Sequence, residues 1–378
     1  MTATSPGVEP DALEAALAER RPARRSRLRA RLAAEGFDAL VVTHPPNVRW
    51  LTGFTGSYSA LVVLVPSDTD VLVTDGRYRE QAAWQAPGTR VWVAPADRAA
   101  GAVAVLTSLR GDDPGLVGFE PGGLTWAEGD RLRVRLPGAA PCPPLIEALR
   151  EVKDEAELAC LRAAAAAGTA ALADLLAVLR PGLTERALAD ELEDALRRHG
   201  GQGLAFDPIV AFGPASAEPH HQPGERELAR GDLVKLDYGA TVAGYRSDMT
   251  RTVVLGPASD RQVEVYEVVR AAQAAGLAQI RAGVSGGQID AACRESIAAA
   301  GYGAAFVHPT GHGVGLEIHE APRVRAGAGG SIAAGTPLTV EPGVYLPGFG
   351  GVRIEDLTVV RPDGHELLTT ATKDLLVL

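Results

Sequence analysis

With 378 residues, 46% hydrophobic and 22% charged, the chain has a globular composition and enough length for two domains of roughly 100–200 residues. Its formal charge of −10 argues against nucleic acid as the main partner, because no net basic footprint exists. Three cysteines, Cys142, Cys160 and Cys293, stand far apart and odd in number. They make neither a disulfide framework nor a zinc ribbon, and they fit a reducing cytoplasm.

The first residues, "MTATSPGVEPDALEAALAERR", lack the basic-then-apolar order of a signal peptide, and residues 1–19 are expected to be flexible. Arginines recur from Arg20 to Arg31, with Leu28 and Leu32 four apart. This reads as the solvated face of an amphipathic first helix rather than an anion-binding arm. Four β-like runs follow, "DALVVT", "SALVVLVP", "VLVTDG" and "VWVA", with helical patterns near Arg77–Gln85 and Ala99–Leu109. That alternation predicts an α/β domain over residues 20–136, and the Pro-rich "LPGAAPCPPL" marks a linker over 137–150. The apolar segment Leu158–Leu179 is interrupted by Arg162 and Asp174, which suits a helix of a water-soluble domain, not a membrane span.

An internal echo lies in the remaining domain, 151–378. "LRPGLTERALADELEDALRRHG" starts at Leu179 and "IRAGVSGGQIDAACRESIAAAG" starts at Ile280, 101 residues later. Leu183, Leu188, Leu192 and Leu196 fall on Val284, Ile289, Cys293 and Ile297, and Gly200 falls on Gly301. Thr184 and Ser285 are expected N-caps, Ser285 with Gln288 as a capping box. Each copy leads into an apolar strand pair, Leu233–Thr252 and Leu338–Val360, that carries two acids.

Aspartate is depleted in strands and costly to bury alone. A turn near Val242–Ala243 would set Asp237 opposite Asp248, and an odd-length turn centred on Gly348 would set Glu341 opposite Glu355. Like charges so placed repel, so something positive should lie between them. Between the hairpins, "FVHPTGHGVGLEIHE" supplies His308, His312 and His319, and "GPASAEPHHQPGE" supplies His220 and His221. Four carboxylates with one imidazole suit manganese, cobalt or ferrous iron, with zinc as an option. Charge counting favours two divalent ions, which can share a hydroxide and polarise a carbonyl.

"LDYGATVAGYRSDMTRT", "HPTGHGVGLEIHE", "TVEPGVY" and "GVRIED" together resemble the pita-bread metallopeptidases, namely methionine aminopeptidase, aminopeptidase P and prolidase, with creatinase as a metal-free relative. "WLTGFTGSYSALVVL" and "LVTDGRYREQA" resemble the first domain of aminopeptidase P, prolidase and creatinase. The resemblance implies a creatinase-like α/β N-terminal domain followed by an α+β pita-bread domain with a pseudo-two-fold repeat.

The resemblance further implies metal ligands at Asp237, Asp248, His312, Glu341 and Glu355, with Asp248 and Glu355 bridging two ions, Mn2+ before Co2+ or Zn2+. His220 stands in a motif that reads "AEPH" here where the family has "ALPH". His220 and His319 would stabilise the oxyanion and Glu341 would move the proton. His308 would contact substrate, while Tyr345 and Arg353 would support the site. The implied reaction is hydrolysis of the bond before proline by a cytoplasmic enzyme, with aminopeptidase P activity ahead of prolidase activity. A creatinase-like hydrolase and a non-catalytic binding module are the alternatives. The implied partners are peptides with proline second and further copies of the chain, in a homodimer or homotetramer that sets Trp50 or Tyr58 near a neighbour's site.

Overall fold

The computed structural model describes residues 10–67, 69–94, 97–111 and 113–378. It divides into two units, Glu14–Arg150 and Glu151–Leu378, the second also taking Pro10–Leu13. Of the expected flexible stretch, residues 1–9 lie outside the described part, and residues 10–19 open a helix, α1 (Pro10–Ala34).

In the first unit the apolar runs become a six-stranded mixed sheet. The elements in order are β1 (Ala39–Val42), α2 (Pro45–Thr52), β2 (Ser59–Leu64), β3 (Asp70–Thr74), α3 (Arg79–Gln85), β4 (Thr89–Val93), α4 (Arg98–Arg110), β5 (Val117–Phe119), α5 (Trp126–Arg135), β6 (Ala140–Pro141) and α6 (Leu145–Glu151). The strand order is β4-β3-β2-β1-β5-β6, with β1, β2 and β3 antiparallel in series and parallel strands at both flanks. β1, β2, β3 and β5 are buried throughout, which is why they read as unbroken Val/Leu runs.

Two expectations are corrected here. The arginine run is not all solvated. Arg24 and Arg25 are buried and donate to the carbonyls of Trp50 and Leu51, at the C-terminal end of α2, where unpaired carbonyls attract cations. Arg25 and Arg29 also pair with the fully buried Asp70. The stretch 137–150 is no bare linker either. Pro141 sits on an edge strand, where a missing N–H costs nothing, and the Pro144 carbonyl accepts the first bond of α6. Trp50 is buried under Arg24 within its own unit, and the Tyr58 hydroxyl accepts from the Arg98 N–H.

The second unit realises the echo. Helices α7 (Glu155–Val178) and α8 (Glu185–Arg198) precede β7 (Ile209–Phe212), β8 (Leu233–Tyr238), β9 (Thr241–Val242), β10 (Tyr245–Arg246) and β11 (Met249–Val254). Helices α9 (Asp260–Leu277) and α10 (Gly286–Ala299) precede β12 (Gly311–Gly313), β13 (Glu320–Val324), β14 (Pro337–Val340), β15 (Gly343–Leu346), β16 (Gly350–Arg353), β17 (Asp356–Arg361) and β18 (Gly364–Leu367). Thr184 and Ser285 are the N-caps of α8 and α10, each accepting from the N–H three residues on, and the capping box at Ser285 is formed. One sheet runs β11-β8-β7 and the other β13-β12-β14-β17-β18. They meet where the Glu355 N–H donates to the Thr250 carbonyl at 3.1 Å.

Helix α7 is long and apolar enough to cross a membrane by length and composition. In this fold it covers the first hairpin. Tyr238 donates to the Gly168 carbonyl, Ser247 to that of Ala164, and Tyr245 to the buried Glu157 carboxylate. Those polar ties and its buried Leu158, Leu161 and Leu172 make it a core helix.

The second hairpin has the expected register. Leu346 faces Gly350 around Gly348, and the same register continues in Val340 facing Asp356. Glu341 and Glu355 fall in the gap between those two ladder segments. In the first hairpin the turn is one residue later than expected, at Ala243–Gly244, and Asp237 faces Thr250 instead of Asp248. Both turn residues have positive φ, 48° and 81°, the requirement of a type I′ turn, and Gly244 meets it without strain. Asp248 lies in the gap between β10 and β11. Each hairpin therefore breaks its ladder where an acid must turn inward.

Candidate metal centre and active site

The four acids reach one point from strand ends and ladder gaps. On β8 the alternation of side chains puts Lys235 and Asp237 on one face. One Asp237 oxygen, Oδ2, is paired with Arg353, while Oδ1 is buried with no hydrogen-bond partner. Glu355 repeats the pattern: Oε2 accepts from the Thr250 hydroxyl at 2.7 Å and Oε1 is buried without a partner. Asp248 is 4% exposed, and Glu341 is half-buried beside it.

His312, on β12, completes the group. Its Nδ1 lies 3.1 Å from the Gly313 carbonyl, which holds the proton there and leaves Nε2 as a lone-pair donor. Nε2 is 3.6 Å from Asp248 Oδ2 and 3.5 Å from Glu341 Oε1. Ligand atoms of Asp248, His312 and Glu355 all lie within 4.8 Å of one another.

Electrostatics show what such a group lacks. Burial pushes Asp248 and Glu355 well above the usual carboxylate range, and the neighbouring acids push further. Burial also lifts Glu341 to about 8, with Arg353 pulling it down and Asp237 pushing it up. Arg353 is held well above its ordinary value, because Tyr345 and the acids around it outweigh burial. One guanidinium cannot neutralise four carboxylates. Two orphaned buried oxygens, an imidazole with a free nitrogen and an excess of negative charge fit a divalent cation of the hard-to-borderline kind. Asp248, His312 and Glu355 can hold a metal ion.

Arg353 also organises the surroundings. It donates to the Thr250 hydroxyl at 3.1 Å, the Tyr345 hydroxyl at 2.7 Å and the Pro219 carbonyl at 3.2 Å. Tyr345 in turn lies 2.7 Å from His308 Nε2. Burial, then Arg353, lowers His308 to about 4, so its ring is neutral at pH 7. Tyr345 itself is buried behind the wall and touches the site through His308 and Arg353.

A cavity of about 770 Å³ opens onto the four acids and His312, with His220, His308 and His319 on its walls. His319 stacks edge-on against His312, ring centroids 4.4 Å apart. The structure thus brings together Asp237, Asp248, His312, Glu341, Glu355, His220, His308, His319 and Arg353.

Two residues, Lys235 and Arg323, and the pairing of His221 escaped the sequence reading. Lys235 is fully buried and donates to the carbonyls of Ser216 and Glu218, and burial, then Arg353, lowers its pKa to about 6. Its spacing of two from Asp237 was the available signal. Arg323 lines the cavity across the ladder from His312 and makes no hydrogen bond or ion pair with a described residue. His221 lies between two carboxylates.

Comparison with known proteins agrees with this geometry. The metallopeptidase family M24 model matches residues 159–362, and the creatinase/prolidase N-terminal domain matches residues 24–152. The uncharacterized peptidase YqhT of Bacillus subtilis is 38% identical over 91% of this chain and 96% of its own length. The Xaa-Pro dipeptidase from Bacillus anthracis has the same fold with a TM-score of 0.89, at 36% identity over 95% of this chain and all of its own. The X-Pro aminopeptidase from Thermotoga maritima follows with a TM-score of 0.83, at 32% identity over 91% of this chain and 98% of its own. By the match across its second unit, supported by relatives spanning nearly all of it, this chain belongs to metallopeptidase family M24.

Proposed function

We propose that the protein is an Xaa-Pro dipeptidase working with two divalent ions, manganese foremost, in a reducing cytoplasm that keeps its three buried cysteines free. The sequence reading placed aminopeptidase P activity first. The comparisons favour the other order, since the Bacillus anthracis structure and most other similar proteins are dipeptidases or prolidases. The observation that carries the reading to dipeptides is Arg323. Among the described residues it has no hydrogen-bond or ion-pair partner, and it stands one strand from His312, a spacing of about 5 Å. In a dipeptide the scissile carbon and the terminal carboxylate are one residue apart, on the order of 4 Å. A substrate carbonyl near His312 therefore brings its carboxylate to Arg323.

Asp237, Asp248, His312, Glu341 and Glu355 would hold the ions. Bound ions of this kind supply Lewis acidity and a more acidic water. Glu341, at the cavity wall beside His312, accepts a proton from the attacking water and passes it to the tertiary leaving nitrogen. His220 and His319, on the cavity wall, face the oxygen that gains charge. Arg353 fixes Asp237 and, through Thr250, Glu355.

One observation favours a second reading. The cavity continues past His221 to Phe206, Arg186 and Asp190, more room than a dipeptide needs, and would admit longer peptides. Cleavage of Ala-Pro against Ala-Pro-Ala by manganese-loaded protein separates the two. A dipeptidase prefers the dipeptide, and Arg323→Ala raises KM for it about tenfold or more while leaving kcat nearly unchanged. Equal or better cleavage of the tripeptide, indifferent to Arg323, supports aminopeptidase activity.

A further inference from the structure

Glu218 is the residue by which "AEPH" departs from the family motif, and the metal centre gives it no task. Its Oε2 lies 2.8 Å from His221 Nδ1, and the other ring nitrogen, Nε2, lies 2.8 Å from Glu185 Oε2. Both partners are acceptors, so both ring nitrogens must donate, and the ring between them is an imidazolium. Glu185 and Glu218 are the charged groups acting on it. The neighbouring Arg186 is occupied by Glu225.

Glu185 is itself rigidly placed. It is the first residue of α8, 1% exposed, and it accepts the N–H groups of Phe212 and Gly224. The repeat shows that the fold does not require an acid there. The matching first residue of α10 is Gly286, where a Cβ would lie 2.1 Å from the Arg323 carbonyl. Only the copy beside His220 carries the carboxylate.

The rest of the loop is pinned from beneath. Lys235 holds the Ser216 and Glu218 carbonyls, Arg353 holds the Pro219 carbonyl, and the Gly351 N–H donates to the Ser216 hydroxyl. Between Pro219 and His221, both anchored, the His220 side chain faces the cavity, whose wall continues through His221, Gln222 and Pro223. It is close enough for its charge to act on His308 and His319.

We propose that the Glu185–His221–Glu218 clasp makes His221 and Glu218 positioning residues, which act on the reaction solely by fixing His220 against the cavity. The raised proton affinity of His221, where the two carboxylates outweigh burial, agrees with that geometry. The role assigned to His220 rests on the dipeptidase reading; the clasp itself does not.

Two measurements test it. The first is a double-mutant cycle on manganese-loaded protein with Ala-Pro, using His220→Ala, His221→Gln and their combination. His221→Gln is expected to lower kcat/KM about tenfold or more in the wild-type background, as for partners that orient a working group. In the His220→Ala background it should cost less than about twofold. The same loss in both backgrounds, or none in either, overturns the proposal. Glu218→Gln, at an exposed side chain where folding is not at risk, should behave likewise.

The second measurement needs no turnover. In metal-free, ¹⁵N-histidine-labelled protein, the His221 ring should carry both protons at pH 7, and Glu218→Gln should shift the His220 resonances. His220 signals unchanged in that variant overturn the proposal. Coupled histidines in a protein that cleaves no Xaa-Pro dipeptide would instead sink the substrate and leave the clasp standing.

Discussion

Glu355 and Asp356 are neighbours in the chain, both buried, and their surroundings are opposite. Asp356 receives the Arg251 guanidinium at 2.7 Å, the Lys373 ammonium at 2.8 Å, the Gln273 amide and the Thr369 hydroxyl. Burial alone would raise its pKa, but Arg251 and Lys373 outweigh it and leave Asp356 below the usual range. Glu355 receives one hydroxyl, keeps an orphaned oxygen, and faces three more acids. Asp70 in the first unit follows the Asp356 pattern, with Arg25 and Arg29 as partners. An acid that the protein neutralises is part of the structure; a group it leaves negative is a place for a cation.

Substitutions should separate the two patterns, the largest effect coming at the ligands. Asp248→Asn is expected to reduce dipeptide hydrolysis by far more than the roughly 100-fold typical of residues outside the ligand set. In the metal-free protein it should raise the melting temperature near neutral pH, because Asp248 must take up a proton to be buried beside the other acids and an amide need not. Asp356→Ala should do the reverse, costing about 3–5 kcal/mol of stability by stranding Arg251 and Lys373, with activity per folded molecule much less affected. Denaturant midpoints and kcat on both variants check this. Arg353→Lys loses the fork that joins Asp237, Thr250 and Tyr345 and is expected to cost about 10–100-fold in kcat.

The smallest effect is on pH dependence, and its sign distinguishes the two regions. In metal-free protein Asp248, Glu355 and Glu341 hold protons that the unfolded chain has already released. Stability from these groups therefore falls as pH rises from the ordinary carboxylate range through about 8, where Glu341 titrates. Asp356, with its depressed value, contributes stability above the unfolded carboxylate pKa that is lost as pH falls through the folded one. Thermal melts of metal-free protein should thus drop between pH 5 and pH 8, and manganese should cancel the drop.

Much of this was legible in the residues. The helix starts at Thr184 and Ser285, the strands of the first unit and the convergence of Asp237, Asp248, Glu341 and Glu355 follow from caps, apolar runs and the repeat, while the family resemblance singled out His312. The first hairpin's register was not, because "ATVAGYR" offers one glycine and either of two turn placements, and the choice moves every pairing by two. Arg24 and Arg25 read as surface because no local pattern announces that the carbonyls of a distant helix end will meet them. Lys235, Arg323 and His221 depend on loops closing from elsewhere, which spacing alone does not encode.

Equilibrium dialysis against manganese, with metal counted per chain in wild type, Asp248→Asn and Asp356→Asn, bears on the cation site most directly. Two ions in the wild type, two in Asp356→Asn and at least one lost in Asp248→Asn are expected. A wild type that retains no manganese would mean that these buried acids are held by protons alone, and an Asp248→Asn that retains as much as wild type would mean that Asp248 is no part of a cation site.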